Sequence, residues 1–234
     1  MNERSAARVV AACGLRFEAQ IAERSEKVTA IAGGGDAKSL DRQLRESAAK
    51  SASGIISFGL AGALHPSLKA GDVVIGTEVV CDHQVFTAGK AWTEKLVEKI
   101  SAPASTAAVC APVFGALMPV VSPMDKAQLY RGSRCHIVDM ESLIAARAAA
   151  DLGLPFAILR VVADDAESAI PKAALAGMRE DGSTDALAVI RVLARDVSQT
   201  KALIRLAIAS KKARASLLGC VGLLGPGLGG IDLG

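Results

Sequence analysis

Four positions in the chain combine residue types and surroundings suited to chemistry. Glu141 follows the short apolar run His136–Asp139, Asp164 follows Pro155–Val162, and the glycines before Asp36 follow Val28–Ala32. Glu18 comes shortly after a fourth apolar run, Arg8–Cys13. A carboxylate in such a place moves a proton if its surroundings bring its pKa towards neutrality. It can equally cap a helix or hold a backbone amide, and residue type alone leaves both open. The run Gly33-Gly34-Gly35 offers amides that could meet an anion, or simply makes a tight turn. It lacks the GxGxxG spacing of a dinucleotide-binding loop.

The elements that must position these residues alternate between short apolar runs and amphipathic stretches, the rhythm of strands alternating with helices. Strands are expected at Arg8–Cys13, Val28–Ala32, Gly54–Phe58, Asp72–Val80, His136–Asp139 and Pro155–Val162. Helices are expected from about Arg16 to Ser25, from the Asp36 cap to about Ala52, from Glu141 to about Leu152, and from Ser183 to about Leu218. Gly59-Leu60-Ala61-Gly62 reads as a turn, and Ser101–Met124 as an uncharged stretch broken by prolines. The pattern predicts a three-layer α/β fold, a mainly parallel but mixed central sheet flanked by helices. Such sheets bind ligands beyond the carboxyl ends of their strands, where the acidic residues fall. One catalytic domain is expected over residues 1–212, followed by an apolar, glycine-rich tail over 213–234.

Composition narrows the function classes. Half of the 234 residues are hydrophobic and 22% are charged, the balance of a packed protein. The net charge of +3 is spread along the chain, and only five Phe, one Trp and one Tyr are present. Neither a basic track nor a stacking platform is available for nucleic acid. Five scattered cysteines form no CxxC or Cys/His cluster and read as reduced thiols, which with the lack of an apolar signal core points to the cytoplasm. His65, His83 and His136 are spaced unlike metal ligands.

Four segments in succession carry a resemblance: Ser57-Phe-Gly-Leu-Ala-Gly62, Leu68-Lys-Ala-Gly-Asp-Val-Val74, Val138-Asp-Met-Glu-Ser142 and Arg160-Val-Val-Ala-Asp-Asp165. In order and spacing they resemble the purine nucleoside phosphorylase and nucleosidase superfamily. With Gly14-Leu-Arg-Phe-Glu18, the shortened middle and the apolar tail, the chain is most similar to the hopanoid-associated phosphorylases, which act on adenosylhopane. The resemblance implies cleavage of the N-glycosidic bond of an adenine nucleoside with a large apolar 5′ group such as adenosylhopane, with a 5′-methylthioadenosine-like or other purine nucleoside as the alternative substrate. It makes Asp164 the acid that protonates the purine N7 and Glu18 the base that activates water. It makes Glu141 and Met140, with Val138 beside them, the ribose site, and gives Arg160 the task of orienting Glu141 or meeting an anion, a purely structural ion pair being the alternative for Arg160. It implies no cofactor, with inorganic phosphate left open as a co-substrate, and a homo-oligomer.

Two departures bear on this. Leu60 stands where many relatives carry a serine that contacts the anion or water, which disfavours phosphate as nucleophile, although Gly34, Gly35 and Gly59 leave amides near that site. No aromatic residue lies in Met118–Met124, where many relatives stack a ring on the base, so the pocket is aliphatic or is served by Phe86 or Phe114. A non-catalytic nucleoside-binding protein is the rival reading, and the joint presence of Glu18, Glu141 and Asp164 speaks against it. The tail sets Lys211, Lys212 and Arg214 beside Leu217, Leu218, Val221, Leu223, Leu224, Leu228 and Ile231. Such a segment either rests on an anionic membrane surface or packs on its own subunit or across an oligomer interface.

Overall fold

The computed structural model describes residues 8–102, 108–176, 182–183 and 196–230. Its strands are β1 (Arg8–Cys13), β2 (Val28–Ala32), β3 (Ala52–Ala63), β4 (Val73–Cys81), β5 (Gln84–Thr87), β6 (Ala108–Gly115), β7 (Ile137–Asp139) and β8 (Phe156–Asp164). Its helices are α1 (Arg16–Ala22), α2 (Ala37–Ser51), α3 (Lys90–Ser101), α4 (Pro123–Ser133), α5 (Ser142–Leu152), α6 (Lys172–Ala176) and α7 (Thr200–Leu224).

The strands form one sheet in the order β2-β1-β3-β7-β6-β4-β5, and β8 pairs with both β3 and β4. The pairings β3–β7, β4–β5 and β4–β8 are antiparallel and the others parallel. Because β8 joins β3 to β4, the strands β3, β7, β6, β4 and β8 close a ring. Strand β8 is buried along nearly its whole length, which is why it reads as an unbroken apolar run. Helices α2 and α5 cover one face through Leu40, Leu44, Leu143 and Ala149. Helices α1, α3 and α7 cover the other through Ile21, Trp92, Leu96 and Leu217. The fold is thus the three-layer α/β arrangement with a mixed sheet.

Several elements differ from the sequence expectations for identifiable reasons. Gly59–Gly62 is not a turn; it continues β3, with Gly59 opposite Arg160 and Gly62 opposite Asp164. Glycine in a strand marks a close approach rather than a reversal. At Gly59 (φ +154°) a Cβ would come within 2.7 Å of the Glu18 carboxylate. The proline-broken middle contains β6, which runs through Pro112. The register of β4 shifts between Gly76 and Val79, where Pro112 would otherwise pair, so the missing amide breaks no ladder. Helix α1 stops at Ala22, short of Ser25.

Residues 184–195 of the expected C-terminal helix lie outside the described residues. The described part, α7, runs without interruption past residue 212 to Leu224 and ends at Gly225 (φ +70°) and Pro226. Ala213, Leu217, Cys220, Val221, Leu224 and Leu228 are buried, while Leu218 and Leu223 are exposed. Trp92 Nε1 donates to the Leu228 carbonyl at 3.1 Å and Ser25 Oγ to that of Gly225 at 2.7 Å. Most apolar residues on which a membrane contact was read therefore pack on their own subunit. Among the described residues no helix is long and apolar enough to cross a membrane.

Candidate active site

At the end of β7, the Asp139 carboxylate accepts from the amides of Glu141 (3.0 Å) and Ser142 (2.7 Å). It thereby satisfies the first turn of α5 and leaves Glu141, the N-cap residue, with no side-chain capping bond. The free Glu141 carboxylate meets Arg160 instead, Oε2 lying 3.2 Å from Nη1. Arg160 sits in the middle of β8, wholly buried. Its Nε is 3.0 Å from Asp139 Oδ2, and it donates to Ser57 Oγ and to the Leu60 carbonyl. The Ser142 hydroxyl donates to Asp139, so Ser57 Oγ, 2.7 Å away, donates to Ser142 in turn.

Glu18 occupies the first turn of α1 and is 2% exposed. Its Oε2 accepts from the amides of Gly14 and Leu15, both at 2.8 Å, and its Oε1 from the amide of Leu60 at 2.9 Å. The carboxylate that holds these amides also lines the cavity. Gly59 leaves room for this carboxylate, and Gly14 does the same for Glu141, whose Oε1 would lie 2.9 Å from a Cβ. The buried guanidinium thus faces Asp139, Glu141 and Glu18. Burial disfavours its charge, but the three carboxylates outweigh burial and hold the Arg160 pKa above its ordinary value. Burial raises Glu141 from 4.5 to about 7, with Arg160 opposing. Burial likewise raises Glu18 against the opposing pull of Arg160 and the three amides.

Asp164 is the last residue of β8 and 8% exposed. Its Oδ2 accepts from the ammonium of Lys126, which also donates to the carbonyls of Asp165 and Ser168 at 2.9 Å each. Burial pushes the Asp164 pKa up, and Lys126 restrains that rise.

These groups surround a cavity of about 400 Å³, within the range of roughly 300–1,000 Å³ usual for small-molecule sites. Glu18, Leu60, Val138, Met140, Glu141, Asp164, Gly34 and Gly35 all line it. Arg160 and Gly59 stand behind the wall, supporting Glu141 and Glu18. The rest of the wall is apolar: Met118 to Val120, then Ile170 and Ala174, then Leu203, Leu206 and Ala207 of α7. No aromatic side chain lines it among the described residues. Phe86 packs on the main core, and Phe114 belongs to a separate cluster with Val80 and Leu129. The amides of Gly33 and Gly34 are taken by the carbonyls of Cys13 and Gly14, both at 2.8 Å, so two of the three amides read as a cradle for an anion are occupied.

His65 and His136 stack with ring centroids 4.6 Å apart beside Tyr130. His83 lies in the β4–β5 turn. None of the three lines the cavity, and among the described residues no group of three or more His, Cys, Asp or Glu is placed to hold a metal ion. Sequence reasoning missed Asp139, Ser57, Ser142 and Lys126. Lys126 carried a signal: Ser122-Pro123 marks a helix start, and a lysine in a first turn opposes the helix dipole.

With the geometry in view, comparison with known proteins assigns the family. The model of the phosphorylase superfamily matches residues 25–208. The chain belongs to this superfamily. No curated protein sequence matches it. Solved structures do, at identities that speak to the fold. A 5′-methylthioadenosine/S-adenosylhomocysteine nucleosidase from Helicobacter pylori, bound to butyl-thio-DADMe-Immucillin-A, is 15% identical, with a TM-score of 0.62 over 92% of this chain and 98% of its own. An S-adenosylhomocysteine nucleosidase from Streptococcus pyogenes is also 15% identical, with a TM-score of 0.62 over 93% and 97%. Futalosine hydrolase of Helicobacter pylori is 14% identical, with a TM-score of 0.60 over 92% and 98%. The superfamily match begins after Glu18, which the fold brings into the site through its bond to Leu60 on β3.

Proposed function

We propose that this phosphorylase-superfamily protein hydrolyses the N-glycosidic bond of an adenine nucleoside that carries an apolar group at the 5′ position. The observation that carries this reading is the placement of a buried Asp164 on one cavity with the Glu18 and Glu141 carboxylates. Asp164, raised by burial, supplies a proton to the purine N7. The C1′–N9 bond then breaks with its electron pair passing to the base, and positive charge grows on the ribose. Glu141, held by Arg160, accepts hydrogen bonds from the ribose hydroxyls and lies near that growing charge. Glu18 takes a proton from water as its oxygen bonds to C1′.

Water is favoured over phosphate by electrostatics. The Arg160 guanidinium is committed to Asp139, Glu141, Ser57 and Leu60, and two of the Gly33–Gly35 amides are occupied. A phosphate dianion would meet two carboxylates with few donors left to hold it. The apolar wall from Met118–Val120, Ile170 and α7 suits an alkyl 5′ substituent, and the resemblance to hopanoid-associated enzymes suggests adenosylhopane. The nucleosidases with the same fold point to the smaller 5′-methylthioadenosine.

Product analysis tests the reaction. Incubation with 5′-methylthioadenosine and with an adenosine bearing a long 5′-alkyl chain, each with and without phosphate, should release adenine and the free sugar at rates unaffected by phosphate. A sugar 1-phosphate formed only with phosphate would mean phosphorolysis, and the faster substrate reports the size of the 5′ group.

A further inference from the structure

Lys126 has no role in the chemistry above, yet its surroundings are costly for a lysine. It is fully buried, one turn into α4 after the Ser122 cap. Helix polarity disfavours a cation there, and so does removal of an ammonium from water. The three N–H donors of its ammonium are matched by three acceptors: Asp164 Oδ2 and the carbonyls of Asp165 and Ser168. Two of these belong to the loop that leads from β8 to the apolar wall at Ile170. The amide of Ile170 is tied to the Val121 carbonyl at 3.0 Å, just before α4.

We infer that Lys126 is the positioning residue and counter-ion of Asp164, an inference that rests on the proposed role of Asp164 as the acid. When the Asp164 proton passes to N7 and the glycosidic electron pair leaves with the base, Asp164 becomes a carboxylate beside an aliphatic wall. The adjacent Asp165 carries the same sign of charge. Across the cavity Arg160 is occupied by Asp139, Glu141 and Glu18. The Lys126 ammonium, already bonded to Asp164, stabilises the new carboxylate, so proton transfer does not strand a buried charge. Its bonds to the Asp165 and Ser168 carbonyls hold the loop so that Asp164 faces the base.

The experiment compares two substrates that share a 5′-butylthio group: the adenine nucleoside, whose base leaves with a proton, and the 4-nitrophenyl riboside, whose phenolate leaves without one. Each is assayed against pH with the wild type, Lys126→Met and Lys126→Gln. Loss of the counter-ion should lower kcat on the nucleoside by about tenfold to a hundredfold, part of the full acid contribution, and leave the aryl riboside within about twofold. The alkaline limb of the nucleoside profile should move to higher pH. An acid must be protonated to act, and without Lys126 the Asp164 pKa climbs further. Lys126→Arg, which keeps the charge, should restore much of the rate. The ratio of the two activities in one sample is independent of how much protein has folded, so a poorly folding variant still reports. Equal losses on both substrates, or an unmoved alkaline limb, would overturn the role of Lys126. Asp164→Asn separates the two levels of inference: if it cleaves the nucleoside at the wild-type rate, the acid assignment itself falls.

Discussion

As the proposed base, Glu18 would have to be ionised where burial disfavours ionisation, a cost that Arg160 and three amides offset. Burial still wins, so its pKa lies above the usual 4.5, closer to the neutral range where a base is most useful. Turnover should rise with pH through that raised value, because only the ionised form takes a proton from water. Glu18→Gln keeps an oxygen for the amides but loses the basicity. Its turnover should fall by about two orders of magnitude or more, equally in phosphate and phosphate-free buffer. Phosphate-dependent activity surviving in the variant would contradict water as the nucleophile. Arg160 has a different weight, since its removal leaves Asp139, Glu141 and Glu18 facing one another without a cation. Arg160→Met should cost about 3–5 kcal/mol of stability, as removing one partner of a buried ion pair does, measured by urea denaturation. A loss of activity at unchanged stability would mean that Arg160 serves the substrate and not the architecture.

Helix α7 contributes on two sides. Leu203, Leu206 and Ala207 line the cavity, and the later turns bury Leu217, Val221 and Leu224 against α1, α3 and the sheet. The amphipathic pattern was legible in the sequence, but the surface that its glycine-rich end meets was not. The structure uses Gly225 and Gly227 at positive φ to turn the chain back, so that Leu228 is buried beside Trp92. Leu217→Ala should therefore destabilise the fold by about 2–5 kcal/mol, the usual cost of a core cavity. Leu218→Ser, on the exposed face of the same turn, should change stability by no more than about 0.5 kcal/mol. If thermal melts show the two substitutions to be equal, the packing assigned to this turn is wrong. Truncation after Lys212 should give the same outcome more severely, with loss of the folded state rather than selective loss of liposome binding.

Across the whole molecule, three carboxylates, Glu18, Glu141 and Asp164, are raised by burial in one cavity. For Glu141 the folded value of about 7 exceeds the ordinary 4.5. Below the ordinary value both folded and unfolded forms hold the proton. As pH rises through the window the unfolded chain releases it first, so the folded state loses stability up to about 7 and no more beyond. The ligand-free protein should lose part of its melting temperature between about pH 5 and pH 7.5, and Glu141→Gln should reduce that loss. An identical pH dependence in wild type and variant would count against a raised Glu141. The sequence by itself determined the alternation of strands and helices and the presence of Glu18, Glu141 and Asp164 near strand ends, because period and capping chemistry are local properties of the chain. Beyond the Arg160–Glu141 contact that the resemblance offered as one option, it did not determine which polar group meets which. Lys126 reaches Asp164 across 38 positions and Arg160 reaches Ser57 across 103. Those partnerships, the passage of β3 through Gly59–Gly62 and the burial of the C-terminal leucines depend on how distant segments pack. That packing leaves no short-range pattern, and the tertiary structure alone decided it.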